Sequence, residues 1–275
     1  SVFIDSESDT WNMCPELLEK AIMDRMSKGK TPKAIMLVHL YGMPAKTDEV
    51  MHIANKYDIP VIEDAAEALG STYRKSPLGT FSKFGIYSFN GNKIITTGGG
   101  GMILTDDPKL AEKAKYLITQ AKDDPVRYVH DEIGYNFRLT NIQAALGVAQ
   151  LEQLPSILKR KKEIYDFYQS TIENIEGLSL SQVPNYADNN HWLNLLHIDN
   201  KIYNEDREVL MKRLEENGIQ TRPVWKLNHE QIPYKDCQHY KIEEANKLVK
   251  NSLCLPSSSN LSNENLNKIV SVLNG

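Results

Sequence analysis

Apolar positions in this chain alternate between short unbroken runs and helical spacings. Ala34-Ile35-Met36-Leu37-Val38 is one such run, the pattern of a strand covered on both faces. Behind it, Val50, Met51, Ile53 and Ala54 recur at helical spacing between Thr47 and Tyr57, with Thr47 a residue type suited to the N-cap. Ile59-Pro60-Val61-Ile62 supplies a second buried strand. Strand, helix, strand in this order predicts a right-handed βαβ unit and a mostly parallel sheet. The same reading predicts a strand at Val2-Phe3-Ile4 and a helix from Pro15 to a C-cap near Gly29. Phe84 to Phe89 and Gly101 to Leu104 read as strands joined by a glycine-rich turn. Asp107-Pro108 opens a further helix through Leu110, Ala114, Leu117 and Ile118. Thr140 and Gln143 form a capping box ahead of a long helical stretch to about Ile172, with an interruption expected at Pro155.

After Glu176 the texture changes. Trp192 to Ile198 is strand-like, Asp206 to Asn217 is helical with Gly218 as its C-cap, and two more helices close the chain. The expected architecture is α/β: a large domain over residues 1–170, with a mostly parallel central sheet flanked by helices, and a smaller C-terminal α/β domain over residues 171–275.

Composition narrows the function classes. The chain has 275 residues, 41% of them apolar and 25% charged, ordinary proportions for a globular protein. Lys and Arg number 32 against 36 Asp and Glu, a net charge of -4, without the basic surplus of a nucleic-acid binder. No apolar run approaches the roughly 18 residues of a membrane span, and Ser1 to Asp5 lacks a signal-peptide pattern. Cys14, Cys237 and Cys254 are odd in number and widely spaced. They point to a reducing, cytoplasmic setting and to no metal site.

The densest chemistry lies between residues 63 and 101. Glu63-Asp64-Ala65-Ala66-Glu67 follows a buried strand directly, and acidic residues at the carboxyl end of a parallel strand stand where open α/β sheets bind ligands; Asp64 could equally cap the segment that follows. Lys93 precedes Ile94 and Ile95 amid turn residues. Partial desolvation there would favour the neutral amine and make it a Schiff-base nucleophile; a lone lysine is otherwise more often a solvated surface group. Gly98 to Gly101 permit positive φ and read best as a hairpin turn. Lys93, Asp64 and Ser88 are the three residue types that pyridoxal phosphate requires: an amine for its aldehyde, a carboxylate for its ring nitrogen and a hydroxyl for its phosphate.

These residues sit in motifs that resemble the DegT/DnrJ/EryC1/StrS sugar aminotransferases, fold-type I pyridoxal phosphate enzymes. The matching stretches are Glu63 to Gly70, Ser88-Phe89-Asn90 with Lys93 and Thr97 to Gly101, Gly134 to Gly147, and Gly218-Ile219-Gln220-Thr221-Arg222-Pro223. The resemblance implies a role for each position. Lys93 matches the Schiff-base lysine and Asp64 the partner of the pyridine nitrogen. Glu67 matches a position beside the cofactor ring and its 3-hydroxyl, and Ser88 a phosphate-binding hydroxyl. Asn136 matches a residue that reaches the phosphate across a homodimer interface. The resemblance further implies that the large domain is N-terminally incomplete here, since relatives carry a preceding segment with a phosphate loop and a ring-stacking aromatic residue.

The implied activity is amino transfer from glutamate to the keto group of a nucleotide-linked sugar, a 4-keto-6-deoxy hexose on UDP or dTDP, in surface polysaccharide or glycan synthesis. A sugar dehydratase of the same fold is disfavoured because its relatives replace the lysine. A non-catalytic regulatory protein is disfavoured by the intact Asp64, Ser88 and Lys93. Arg138 and Arg222 are candidates for a substrate carboxylate or phosphate, or for structural ion pairs. Trp225 and His229 are candidates for sugar or nucleotide contacts, Trp225 equally for packing between domains. His39 reads as a satisfied core histidine, Lys159 to Lys162 as a solvated helix face, and the cysteines as structural.

Overall fold

A computed structural model describes all 275 residues. In chain order the elements are β1 (Val2–Ile4), α1 (Pro15–Ser27), β2 (Ile35–Val38), α2 (Thr47–Lys56), β3 (Val61–Asp64), β4 (Thr72–Tyr73), β5 (Ser76–Pro77), β6 (Phe84–Ser88), β7 (Gly101–Leu104), α3 (Pro108–Ile118) and α4 (Asn141–Ile172). There follow β8 (Leu178–Leu180), β9 (Ala187–Asp188), β10 (Asn194–Ile198), α5 (Arg207–Glu216), β11 (Arg222–Pro223), β12 (Gln238–Tyr240), α6 (Glu244–Asn251), β13 (Ser252–Leu255) and α7 (Asn263–Asn274).

One sheet has the order β2-β3-β6-β7; β2, β3 and β6 run parallel, and β7 returns antiparallel along β6 with Ser88 opposite Gly101. The expected mostly parallel sheet is present, and β6 and β7 pair as expected, but the connection between them runs over residues 89–100 and is no tight hairpin turn. A second, antiparallel sheet has the order β11-β13-β10-β8. No helix is long and apolar enough to cross a membrane.

Three expectations about local structure are corrected. β2 is covered on one face only: Ile35 and Leu37 pack with Leu18 and Ile22 of α1 and with Val50 and Ile53 of α2, whereas Met36 is exposed. Thr47 is the first residue of α2 and not its cap, because its hydroxyl turns back to the Ala45 carbonyl (3.1 Å) and cannot serve the helix N–H groups ahead. α4 passes through Pro155 unbroken. Pro155 and Leu151, whose carbonyl loses its helical donor, are both exposed, so water can satisfy that carbonyl.

The capping predictions hold where a side chain faces forward. Asp107 accepts from the Lys109 and Leu110 amides, and Thr140 with Gln143 forms the reciprocal box. Lys159 to Lys162 departs from a solvated face: Lys161 is buried, and Arg160 reaches the Leu261 carbonyl at 2.6 Å. The N-terminal half of α4 exposes Ile142, Leu146 and Leu151, while its C-terminal half buries Ile164, Tyr168 and Ile172 against the second sheet.

Residues from both ends of the chain share one core. Trp11, Tyr41, Ala65, Tyr87 and Ile95 pack with Trp192, Leu195, Val224 and Cys254 in a single buried cluster. Asp5 ties the start of the chain to the same region. Its buried carboxylate accepts from the amides of Glu243, Glu244 and Ala245 at 2.8, 2.8 and 2.9 Å, capping α6, which has no cap of its own.

Candidate active site

Asp64 ends β3, between β2 and β6, with its residue position opposite Val38 on one side and Ile86 on the other. Its carboxylate also accepts from the Ala66 amide at 3.1 Å, so the local turn proposed from sequence is present as well. This turn carries the chain to Glu67. The Glu67 Oε2 accepts from the Tyr41 amide at 2.6 Å. That amide is aimed by an uncommon backbone: Tyr41 has φ +58°, in the left-handed region that side chains with a Cβ rarely adopt. Next to it, Gly42 has φ +81°, and a Cβ there would fall 2.1 Å from Asn190 Oδ1 and 3.0 Å from the Glu67 carbonyl. Only glycine allows so close an approach. Asn190 in turn donates to the carbonyls of Glu67 and Leu69 at 2.8 and 3.0 Å. The segment before the second sheet thereby grips the loop after β3.

Lys93 stands opposite Glu67. Its side chain is 14% exposed and its Nζ lies 3.6 Å from Glu67 Oε1, outside hydrogen-bond reach. Ile94 and Ile95 behind it are buried. The amine also sits over the Trp192 ring, 4.4 Å from its centroid. Burial pushes the Glu67 carboxyl above the usual carboxylate range and the Asp64 charge adds to this; the Tyr41 amide and Lys93 oppose it. Because Oε2 is occupied as an acceptor, a proton on Glu67 belongs on Oε1, the oxygen that faces Lys93. Glu67 thus lies beside Lys93 and feels the charge of Asp64, in the loop that leaves the carboxyl end of β3.

The remaining candidates divide. Ser88, half-buried at the end of β6, accepts from the Asn90 amide at 3.3 Å. Trp225 makes aromatic contacts, with ring centroids 5.4 Å from Tyr41 and 6.4 Å from Trp192; its amide donates to the Tyr41 hydroxyl at 2.9 Å. Its outer side borders a cavity of about 510 Å³ lined by Leu40, Tyr41, Val224 and Gln231. Arg138 is not brought to Lys93. It lines a separate groove with Met102, Ile103 and Phe137. Asn136 is exposed and bridges Thr119, Arg222 is exposed beside Gln220, and His229 rests against His239 at 4.9 Å. His39 is the satisfied core histidine that the sequence suggested: Nδ1 accepts from the Ala45 amide, so Nε2 carries the proton and donates to Glu63 at 3.0 Å. The three cysteines are free.

Sequence reasoning missed Tyr41, Asn190, Trp192 and Lys161. Trp192 is held from several sides. Its Nε1 donates to the Asn92 carbonyl at 2.7 Å, its amide donates to Asn190 Oδ1 at 2.9 Å, and its carbonyl accepts from Lys161 Nζ at 3.0 Å and Ser257 Oγ at 2.8 Å. Lys161 Nζ also donates to the Ser257 carbonyl at 2.5 Å and has no carboxylate partner. The one signal for it was Ile164 and Tyr168 at helical spacing, which extends the buried face of α4 back to residue 161.

Burial pushes the Lys161 ammonium down to about 8, from 10.5 when solvated. The folded protein therefore sheds this proton before the unfolded chain does, and the burial penalty seen at neutral pH is relieved as pH rises from about 8 to 10.5. Measured against Lys161→Met, the unfolding free energy of the native protein is expected to rise over that window by up to about 3 kcal/mol. Denaturant titrations of both proteins at pH 7.5 and 10.5 check this; parallel changes in the two would refute it.

A mostly parallel sheet with Asp64 at a strand end, and Glu67 in the loop that follows it beside the Lys93 amine, defines an α/β protein with an amine–carboxylate site. The chain belongs to the DegT/DnrJ/EryC1/StrS aminotransferase family, whose model matches residues 1–274. It is 43% identical to EpsN of Bacillus subtilis (strain 168) over 278 aligned residues, covering 99% of this chain and 70% of EpsN. It is 36% identical to GDP-perosamine synthase of Escherichia coli O157:H7, covering 99% of this chain and 72% of that protein. The fold matches the crystal structure of a DegT DnrJ EryC1 StrS aminotransferase from Brucella abortus with a TM-score of 0.91 and 28% identity, over 99% of this chain and 72% of that one.

Proposed function

We propose that the protein transfers an amino group to a keto group of a nucleotide-linked sugar, with pyridoxal phosphate as cofactor, glutamate as donor and Lys93 as the reacting amine. The observation that carries this reading is the Lys93 Nζ itself: largely buried, within 3.6 Å of Glu67, and donating no hydrogen bond. Family membership and the similarity to GDP-perosamine synthase support the sugar class.

The donor set fits the cofactor chemically. Lys93 offers the amine for the aldehyde, Asp64 the carboxylate for the ring nitrogen, Glu67 a group for the ring's edge, and Ser88 a hydroxyl for the phosphate. Pyridoxal phosphate supplies, when bound, an electron sink for the carbon that loses its proton. The rest falls to the chain. Lys93 Nζ takes a proton from the reacting carbon and returns it. Asp64 keeps its partner nitrogen protonated by charge. Glu67 Oε1, with its other oxygen fixed by Tyr41, presents either a proton or a lone pair toward Lys93. Trp192, which is buried, excludes water from one side.

The working form in this reading is a homodimer in which Asn136 serves the partner's site. The exposed apolar residues Phe137, Ile142 and Leu146 around it support that arrangement. Three free cysteines accord with a cytoplasmic setting.

The test is direct. Protein mixed with pyridoxal phosphate is expected to gain a visible absorbance band that borohydride fixes on the Lys93 peptide, and that glutamate shifts before fixation. A panel of GDP-, UDP- and dTDP-linked 4-keto-6-deoxy sugars with glutamate should then yield an aminated sugar. Fixation at another lysine, or a deoxygenated product, would overturn the reading.

A further inference from the structure

Lys93 has an unbonded amine on a flexible four-carbon stem, yet it must return repeatedly to one carbon. Glu67 gives it charge but no hydrogen bond, since 3.6 Å is too long. What fixes it lies on the other side. The Trp192 indole is 5% exposed and lies 4.4 Å from Lys93 Nζ, and an ammonium over an indole face is the strongest of the cation–π pairings. The indole N–H also holds the carbonyl of Asn92, the residue before Lys93, at 2.7 Å. One side chain therefore grips both the head of Lys93 and the backbone at its foot. Asn190, Lys161 and Ser257 hold the Trp192 backbone through its amide and carbonyl, and burial together with the Nε1 bond to Asn92 holds the ring.

We propose that Trp192 is the positioning residue of the Lys93 amine, its indole face seating the amine and its N–H fixing the loop that carries it. The inference rests on Lys93 being the reacting amine. It also means that the second sheet sets the reach of a nucleophile carried by the first, since Trp192 lies two residues before β10.

Competitive acylation of the whole protein with acetic anhydride, read peptide by peptide, tests this without cofactor or substrate. In Trp192→Met, which keeps bulk but has no ring, the Lys93 acylation rate is expected to rise about fivefold or more over the native protein, the size of a desolvated cation–π contact. In Trp192→Phe, which keeps a ring face but loses the N–H that holds the Asn92 carbonyl, the rise is expected to be smaller than in Trp192→Met, and an equal rise overturns the seating of the amine by the ring. Lys161 is the control: a variant that merely loosens the fold would expose this buried lysine too. An unchanged Lys93 rate in Trp192→Met, or Lys93 and Lys161 rising together, overturns the proposal. If Trp192→Met does not fold, the pair is read from the other side. The indole ¹⁵N–H resonance of Trp192, assigned by its loss in Trp192→Phe, should move in Lys93→Met, and a fixed resonance overturns the proposal. Acylation needs no cofactor, so failure here leaves borohydride fixation at Lys93 to be judged separately.

Discussion

Lys93→Ala is expected to lower amino transfer by at least about a thousandfold, within the range that a positioned acid–base group contributes, and to abolish borohydride fixation of pyridoxal phosphate at this position. The side chain is the only amine beside Glu67, and the reading assigns it both the covalent attachment and the proton transfer. Lys93→Arg is expected to restore neither. It keeps a cation over Trp192 and beside Glu67, but a guanidinium stays protonated and is no nucleophile at neutral pH. The pair therefore separates charge from chemistry: if Arg recovers turnover, Lys93 serves only as a counter-ion. Release of 2-oxoglutarate from glutamate in the presence of keto-sugar is the measurement. Normal turnover by Lys93→Ala would remove Lys93 from the mechanism. Thermal unfolding of both variants, measured alongside, separates loss of chemistry from loss of fold.

Glu63→Gln is expected to destabilise the protein by about 3 kcal/mol or more, the scale of breaking a buried hydrogen-bonded charge. Glu63 is fully buried. Its two oxygens accept from the amides of Gly79, Phe81 and Ser82 at 2.9, 2.7 and 2.9 Å, as well as from His39. Glutamine would turn an N–H₂ group toward donors on one side, leaving them unpaired. The pH dependence has a definite sign. Burial works against the carboxylate, but His39 and the backbone amides outweigh it and hold the group below the usual range. A depressed carboxylate contributes stability above its unfolded value, near 4.3, and loses it as pH falls through the folded value. The native protein should thus lose stability on acidification more steeply than Glu63→Gln, as urea titrations between pH 7 and 3 would record. Equal slopes would place the acid sensitivity elsewhere.

Glu63 and Glu67 flank the same short stretch and serve different ends, which sequence alone left open. Acidic residues after a buried strand announced a site. The alternation of β3 then turned Glu63 inward to three amides and left Asp64 half-buried ahead of the loop that carries Glu67. The low exposure of Lys93 was legible because two isoleucines follow it, and both are buried. The strands and the α4 capping box were legible for the same local reason: each is decided within a few residues. Tyr41, Asn190, Trp192 and Lys161 were not, because their roles depend on contacts from distant parts of the chain. Asn190 meets Glu67 across 123 positions and Lys161 meets Trp192 across 31. A lysine inside a run of four basic residues carries no local mark that it will be buried. Nor does a tyrosine show in advance that its backbone will adopt a left-handed turn. Pro155 erred the other way, since its cost depends on whether water reaches the orphaned carbonyl.

The shared core has a consequence for how the chain matures. Trp11 and Tyr41 need Val224, Leu248 and Cys254 as packing partners, so during synthesis the early strands must wait, with apolar faces open, for more than two hundred later residues to leave the ribosome. Contacts of such sequence separation are slow to form. This places the period of greatest aggregation risk before release, when chaperone supply, more than the stability of the finished protein, would govern yield.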